Sequence, residues 1–345
     1  MSCEFPYFVK NPLLFWYLKV CDALIYKKPK RGSLTGAKNL LIGNIAHLGD
    51  VALTLECIAS IQSAYPQSKL YFLSSSVGGT LLNVFQDLNR IIVFDHFKHQ
   101  RNRSFWKKGF YHITSFIKAI SLIKDYAIDL YIETYPFYPN GLFLSACANI
   151  PFRMGYGTGG CISLLTKKLH IQSDIPLKLQ NQAHLKKFGI PLKKQDYANK
   201  KWLELPENFV LVHLEASSKK KSCCYQEIKP LLSAYLGPSV FTGTSASLKE
   251  EIDKYGVQER VINLVGKCQL DELVEVLRRA AKVVCVDTVV LHLAEYFSIP
   301  TLLLKKERIE QNLFDPSCPS TQVVIIEEGA IKDAAIQTAS QVFFK

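Results

Sequence analysis

The sequence predicts an α/β protein made of two successive units with parallel sheets. Three observations carry this. Short apolar runs of strand length alternate with segments of helical spacing along most of the chain. The rhythm lapses at 186–206, a stretch rich in Lys and Pro, and then restarts. The length of 345 residues suits about two domains. We expect an N-terminal extension at 1–36, a first unit at 37–195 and a second at 196–345, closed by a C-terminal helix. Two α/β units with parallel sheets facing each other across a cleft are the economical arrangement.

Residues 5–31 stand apart from the rest of the chain. The run 13–18 is apolar and aromatic, but Lys10, Lys19 and Asp22 interrupt the segment around it. It is too short and too charged to span a bilayer. It lacks the small-residue cleavage site of a signal peptide. An aromatic helix followed by Lys27, Lys28, Lys30 and Arg31 suits the interface of an anionic membrane. A helix packed on the protein's own surface fits the pattern equally well.

The first unit opens with the apolar run 40–42, a short buried strand. A turn follows, with Gly49 and Asp50 at its end. From Val51 the spacing is helical, through Leu55, Ile58, Ala59, Ile61 and Ala64. Asp50 therefore belongs at the carboxyl edge of the sheet, where open α/β folds bind ligands. A carboxylate there can cap the helix or face a substrate. Strands at 70–73 and 90–94 and a short helix at 80–85 come next. Segment 97–124 mixes Lys98, Arg101, Arg103, Lys107, Lys108, Lys118 and Lys124 with Phe105, Trp106, Phe110 and Tyr111. Helical spacing sets in at His112. The mixture suits an anionic sugar or lipid headgroup; its commoner meaning is a solvated loop and helix face. Strand 129–133 ends at Glu133, on the same sheet edge as Asp50, and Asn140 or Gly141 opens the next helix. The glycine-rich stretch 154–160 lacks the strand-then-helix setting of a dinucleotide fingerprint, so a flexible loop is expected.

In the second unit, strands are expected at 208–213, 239–242, 261–264, 283–286 and 301–304. Helices are expected at 225–235, 247–255, 271–281, 292–297 and 330–344. Lys219, Lys220 and Lys221 follow the first of these strands. Asp287 and Thr288 open a helix after the fourth, where N–H groups and the helix dipole can receive a phosphate.

Composition narrows the partners. Lys and Arg number 42 against 30 Asp and Glu, a formal charge of +12. Such a balance favours solubility, or an anionic partner such as nucleotide phosphates, an acidic glycolipid or a membrane surface. No zinc spacing, RNA-binding signature or helix-turn-helix cue is present, so no nucleic-acid partner is expected. The ten cysteines are scattered and include no CxxC pair. We expect no metal site, and free thiols in a reducing cytosol.

These segments, in this order, resemble glycosyltransferase family 9, the lipopolysaccharide heptosyltransferases. IAHLGDVALTLECIASIQSAYPQSKLYFL is similar to the family's opening strand, Gly-Asp turn and helix ending in Tyr-Pro. RIIVFD is similar to its third strand, and KDYAIDLYIE to a strand closing on an acidic residue, here Glu133. FRMGYGTGG resembles its Arg-hydrophobic-Gly-Tyr turn. GKCQLDELVEVLRRAAKVVCVDT, with His292, Leu293 and Ala294 after it, resembles the nucleotide-site segment. The aromatic, basic extension also occurs in relatives.

The resemblance implies a GT-B fold, two Rossmann-like domains with the active site between them, and an inverting glycosyltransferase that needs no obligatory metal and no cofactor. The first unit would bind an acceptor, an anionic glycolipid of the cell envelope such as a lipopolysaccharide core, through Gly49 and Glu133. The second would bind a nucleotide-diphosphate sugar resembling ADP-heptose. Asp50 matches the family's base, the group that takes the acceptor hydroxyl's proton. Lys221 lies nearest the family's basic phosphate contact. Ser217, Asp287, Thr288 and His292 would complete the donor side, with Glu215 as another loop candidate. The enzyme would be cytoplasmic, with peripheral contact to the inner face of the cytoplasmic membrane through 5–31.

Three departures fall in the donor half. Val289 and Val290 replace the family's Gly-Pro, and valine restricts a backbone that glycine leaves open. Lys221–Ser222–Cys223–Cys224 stands where relatives have Lys/Arg-Trp-Pro. Leu304–Lys305–Lys306–Glu307 replaces Phe-Gly-Pro-Thr. An altered donor, a weaker enzyme, or a catalytically inactive paralogue acting as a binding scaffold are each compatible with these losses. A sugar-nucleotide epimerase is a further alternative, disfavoured by the missing glycine fingerprint.

Overall fold

The computed structural model describes residues 12–24, 36–85, 90–96, 104–195, 204–255, 260–306, 314–327, 330–331, 333–339 and 343–344. The chain divides into two compact units. One comprises Met1–Ser173 and Lys178–Gln195, the other Asp174–Leu177 and Asp196–Lys345.

In the first unit, helix α1 (Pro12–Leu24) precedes a sheet of six parallel strands. These are β1 (Asn39–Asn44), β2 (Lys69–Ser74), β3 (Ile91–Val93), β4 (Leu130–Glu133), β5 (Phe152–Gly155) and β6 (Lys167–Lys168), in the order β3-β2-β1-β4-β5-β6. Leu40, Leu41 and Ile42 of β1 are buried, as expected for a central parallel strand covered on both faces. Each such side chain contributes about 2 kcal/mol. Helices α2 (Leu48–Ala52), α3 (Leu55–Ala64), α4 (Ser76–Phe85), α5 (Phe105–Asp125), α6 (Asn140–Cys147) and α7 (Leu177–Lys187) complete the described elements, with a 3-10 turn at Ile162–Leu164.

The second unit carries a seven-stranded sheet. Its strands are β7 (Val210–His213), β8 (Ser239–Thr242), β9 (Val261–Asn263), β10 (Lys282–Val286), β11 (Thr301–Lys305), β12 (Thr321–Glu327) and β13 (Ala330–Ile331). Their order is β13-β12-β11-β10-β7-β8-β9, parallel throughout except for β13, which runs antiparallel to β12. Helices α8 (Tyr225–Ser233), α9 (Ala246–Tyr255), α10 (Leu270–Arg279), α11 (Val289–Phe297) and α12 (Asp333–Thr338) belong to it.

Several local expectations are corrected. Helix α5 begins at Phe105 rather than His112. Its first turns carry large apolar side chains on the solvent face, which blurs the periodic signal of a buried stripe. The 154–160 stretch is not a loose loop. Met154 and Gly155 belong to β5, and Tyr156 and Thr158 are fully buried. The Tyr156 hydroxyl donates to Asn181 Oδ1, and Thr158 Oγ1 donates to the Pro136 carbonyl at 2.6 Å. The tail forms β12, β13 and the short α12 instead of one helix over 330–344. The Val-Val-Ile-Ile run of β12 is β-branched and pairs with β11. Helix α7 has a weak apolar period because Gln180 and Asn181 share its buried positions with Leu177 and Leu185. Gln180, for example, exchanges hydrogen bonds with the Gln172 backbone at 2.7 and 2.8 Å. Lys27, Lys28, Lys30, Arg31, Lys98, Arg101, Arg103 and Glu307 lie outside the described residues.

A tyrosine–glutamate pair is built into the centre of the first sheet. Tyr131 and Glu133 of β4 point to the same face, and the Tyr131 hydroxyl donates to Glu133 Oε2 at 2.5 Å. Three glycines make room for them. A Cβ on Gly43 would meet Tyr131 Cζ at 2.6 Å, one on Gly141 would meet Glu133 Oε2 at 2.6 Å, and one on Gly155 would meet Glu133 Cβ at 2.7 Å. Gly141 lies in a helix, where alanine is ordinarily favoured by about 1 kcal/mol. Here we expect the reverse. Gly141→Ala should destabilise the protein by about 1–3 kcal/mol through overpacking, measured by urea denaturation. A gain in stability would show that the cradle is loose.

Candidate active site

Each sheet has one point at which the chain's connections reverse direction, and open α/β folds bind ligands beyond the strand ends there. In the first unit this point lies between β1 and β4, and in the second between β7 and β10.

Asp50 lies in the turn after β1, as the third residue of α2. Its Oδ2 accepts the His47 N–H at 3.2 Å, so the carboxylate does cap the helix. Asn44, at the end of β1, ties the turn down. Its Nδ2 donates to the Asp50 carbonyl and to Thr54 Oγ1, both at 2.8 Å. Thr54 lies 3.4 Å from Thr134 Oγ1, which donates to the Gly43 carbonyl at 2.9 Å. The ends of β1 and β4 are thereby stitched together beneath Asp50. Gly49 is the second residue of α2, and its carbonyl accepts the Leu53 N–H at 3.3 Å.

Glu133 ends β4 on this edge, but its carboxyl is turned into the protein. It accepts the Tyr131 hydroxyl and the N–H groups of Tyr135 and Leu142. Burial pushes its carboxyl up to about 8, even though all three hydrogen bonds act the other way. Tyr135 is a neighbour that the sequence pattern does not single out. Burial, and then the charges of Asp50, Tyr138 and Glu133, push its phenol well above the usual range. Tyr135, Tyr138 and Glu133 line a recess of about 230 Å³ that is partly open to solvent, with Pro139, Leu142 and Leu165 among its walls.

In the second unit, Lys221 and Asp287 meet. Lys221 Nζ lies 2.5 Å from Asp287 Oδ2, joining the loop after β7 to the end of β10. Thr288 is the N-cap of α11 in extended conformation, and its side chain makes no capping hydrogen bond. The start of α11 therefore keeps N–H groups available for an anion. Neither Val289 nor Val290 has positive φ, so valine in place of glycine brings no backbone strain here. Ser217 lies exposed on the loop that carries Lys221.

Of two other candidates, Glu215 is engaged elsewhere and His292 is buried with its Nδ1 outside any hydrogen bond. Glu215 accepts the N–H groups of Thr244 and Ser245, the latter at 3.0 Å, and so holds the turn before α9. Burial pushes its carboxyl up, but the hydrogen bonds from Ser245 and Thr244 outweigh this and hold it below the usual range. His292 is buried one turn into α11, with Nδ1 3.9 Å from Glu295 Oε2. Glu295 Oε1 in turn accepts the N–H groups of Ser317 and Cys318 at 2.7 Å each. Lys305 and Lys306, which replace the family's late loop, are both paired. Lys305 lies 2.9 Å from Asp315, and Lys306 lies 2.9 Å from Glu227. Among the described residues no cluster of His, Cys, Asp and Glu has the makings of a metal site, and Cys57, Cys147, Cys161, Cys223, Cys224, Cys268, Cys285 and Cys318 are free thiols.

The state of Glu133 makes a testable statement about pH. Its ordinary value is 4.5 and its folded value about 8, so the unfolded chain ionises first as pH rises. Stability from this group is full below about 4.5 and is lost as pH climbs through about 8. Glu133→Gln cannot ionise and should flatten that part of the profile, measured as thermal midpoint against pH. Parallel profiles for the two proteins would mean that Glu133 is ionised when folded.

Comparison with known proteins bears on the fold. Residues 143–304 match the model of glycosyltransferase family 9 (heptosyltransferase). No curated protein sequence matches the chain. Among solved structures, the Escherichia coli heptosyltransferase WaaC with ADP-2-deoxy-2-fluoro heptose is similar at 15% identity. The match covers 88% of this chain and 98% of that one, with a TM-score of 0.69. E. coli ADP-heptose lps heptosyltransferase II is similar at 16% identity over 89% and 96%, with a TM-score of 0.62. A glycosyl transferase family 9 structure from Veillonella parvula is similar at 15% identity over 89% and 95%, with a TM-score of 0.64. Residues 143–304 thus carry the family 9 match, and the chain as a whole shares the two-domain GT-B-like fold of these heptosyltransferase structures.

Proposed function

We propose that the chain transfers a heptose-like sugar from a nucleoside-diphosphate donor to an anionic glycolipid of the cell envelope, in one inverting displacement. The observation that carries this reading is the Lys221–Asp287 pair beside the open start of α11, at the switch point of the second sheet. A paired cation and unfilled helix N–H groups are what a leaving diphosphate needs. The names of the similar structures support the donor class, since WaaC was solved with ADP and with a fluoro analogue of ADP-heptose.

In this reading the acceptor hydroxyl gives its proton to Asp50 while its oxygen bonds to the anomeric carbon. The bond from that carbon to the diphosphate breaks, and the nucleoside diphosphate leaves with the electron pair. Lys221 neutralises the growing charge, and the Thr288 hydroxyl and the first N–H groups of α11 hold the phosphate oxygens. Asp287 holds Lys221 until the donor arrives. Asn44 keeps the turn that carries Asp50 in register with β4. The reaction would take place in the cytoplasm, at the inner face of the cytoplasmic membrane, with residues 5–31 as one contact.

The test separates the two roles. Asp50→Asn keeps an oxygen to cap the His47 N–H but cannot take a proton. It should lower the rate of transfer from ADP-heptose to a de-acylated core acceptor by about 10²–10⁴-fold and leave ADP binding intact. Unchanged transfer would remove Asp50 from the chemistry. Lys221→Ala should weaken ADP binding by about tenfold or more in calorimetry, because a hydrogen bond to a charged group is lost. Equal affinity would move the diphosphate away from this pair.

A further inference from the structure

The outer face of α5 has no part in the sugar-transfer chemistry. Trp106, Phe110, Ile113 and Ile117 fall at i, i+4, i+7 and i+11, one line along the helix. They are 84%, 67%, 59% and 61% exposed. The opposite side holds the helix in place, with Ala119 and Ile123 buried and Phe116 edge-on to Phe94 at 5.9 Å. This stripe is therefore not core seen from outside; it is a second apolar face turned to solvent. Charge accompanies it. Lys107, Lys108, Lys118 and Lys124 lie on the helix, and its one acidic residue, Asp125, is the last.

The patch continues across neighbouring elements of the same unit. Phe116 of α5 lies 6.0 Å from Phe143 of α6, which is itself exposed. Helix α6 packs on the 3-10 turn at Ile162–Leu164, and that turn packs on α1. Leu18 of α1 is buried against Gly160, and Asp22 accepts the Ser163 N–H at 3.1 Å. That anchoring leaves Leu13, Trp16 and Val20 exposed, at i, i+3 and i+7, with Lys19 beside them. The aromatic run at Tyr135, Phe137 and Tyr138 then leads from the start of α6 back to the neighbourhood of Asp50, with ring centroids 5.5 and 6.1 Å apart.

We infer that the solvent face of α5, continued by α1, is a docking surface for an anionic lipid bilayer. Tryptophan and phenylalanine enter the boundary between headgroups and acyl chains, and the lysines stay at headgroup level. Among the described residues no helix is long and apolar enough to cross a membrane, so the contact is peripheral. Against a second copy of the chain, the same lysines would face lysines. Against acidic headgroups each contributes attraction. The inference extends the proposed function by supplying a surface on which a glycolipid acceptor would be met, but its evidence does not depend on transfer.

The test uses the full chain without substrates. Sedimentation with phosphatidylcholine vesicles is compared with sedimentation with vesicles that also contain phosphatidylglycerol. The native protein should partition onto the anionic vesicles at least about tenfold better. Trp106→Ser with Phe110→Ser should abolish partitioning, and Lys107→Glu with Lys118→Glu should erase the anionic preference. All four positions are solvent-facing, so the thermal midpoint should hold, and transfer to a soluble acceptor should be unchanged. Partitioning by the serine variant equal to the native protein's, or indifference to lipid charge, would overturn the inference. So would a dimer in ultracentrifugation that the serine substitutions dissociate, since the stripe would then pair two copies of the chain. A chain that binds vesicles but transfers no sugar would defeat only the proposed function.

Discussion

Both candidate sites depend on a single constraint, a central strand paired in parallel on both sides while the chain leaves it in opposite directions. β1 lies between β2 and β4, and β7 lies between β8 and β10. Parallel pairing puts all carboxyl ends on one edge, and the reversal keeps crossover helices from covering that edge at one point. What sits there is then decided by the first few residues after each strand. In the first unit these are Asn44 through Asp50 and Thr134 through Tyr138. In the second they are the loop bearing Lys221 and the Asp287–Thr288 helix start. The buried apolar runs stabilise the strands, and the strands leave only these short loops free to carry chemistry.

That logic explains which features are legible in the residues and which are not. The central strands are buried on both faces, so 40–42 and 283–286 show as uninterrupted apolar runs whatever their neighbours do. Asp50, Asp287 and Thr288 follow such runs directly, and their places at the sheet edge follow from the pattern. Glu133 is readable as an edge residue but not as an inward one. Its direction depends on the space left by Gly43, Gly141 and Gly155, which are far apart in sequence. Tyr131 and Tyr135 escape notice for the same reason, since their meaning is a set of long-range contacts. The Lys221–Asp287 pair joins residues 66 apart, and neither residue names the other. Helix α7 is hidden because Gln180 and Asn181, buried between Leu177 and Leu185, interrupt the apolar period on which a helix is recognised.

Two groups of lysines contrast, and the contrast carries meaning. At the strand ends of the second unit, Lys221, Lys305 and Lys306 each pair with a carboxylate. A lysine held by Asp or Glu has a fixed position and a partner to return to, which suits a site that admits and releases an anion. Lys306 shows the effect in its own chemistry. Burial pulls its ammonium down, but the Glu227 hydrogen bond and charge outweigh this and raise it above the ordinary lysine range. On α5, Lys107, Lys108, Lys118 and Lys124 lie along a helix whose one carboxylate is its last residue. Their charge is spread along a surface rather than aimed at a point.

This contrast bears on the departures from the family pattern in the second unit. If Val289 had to adopt a glycine-only conformation, the helix start would be strained and phosphate binding would suffer. The backbone there is ordinary helix, so the substitution alters the surface offered to a ligand and not the direction of the N–H groups. Lys305 and Lys306 add two cations at the end of β11 where the family has an uncharged loop, and both are neutralised within the unit. The second sheet thus keeps the elements a diphosphate requires, a cation at the switch point and an open helix start. Its changes fall on the groups around them, which is where selectivity among donors would reside in the proposed function.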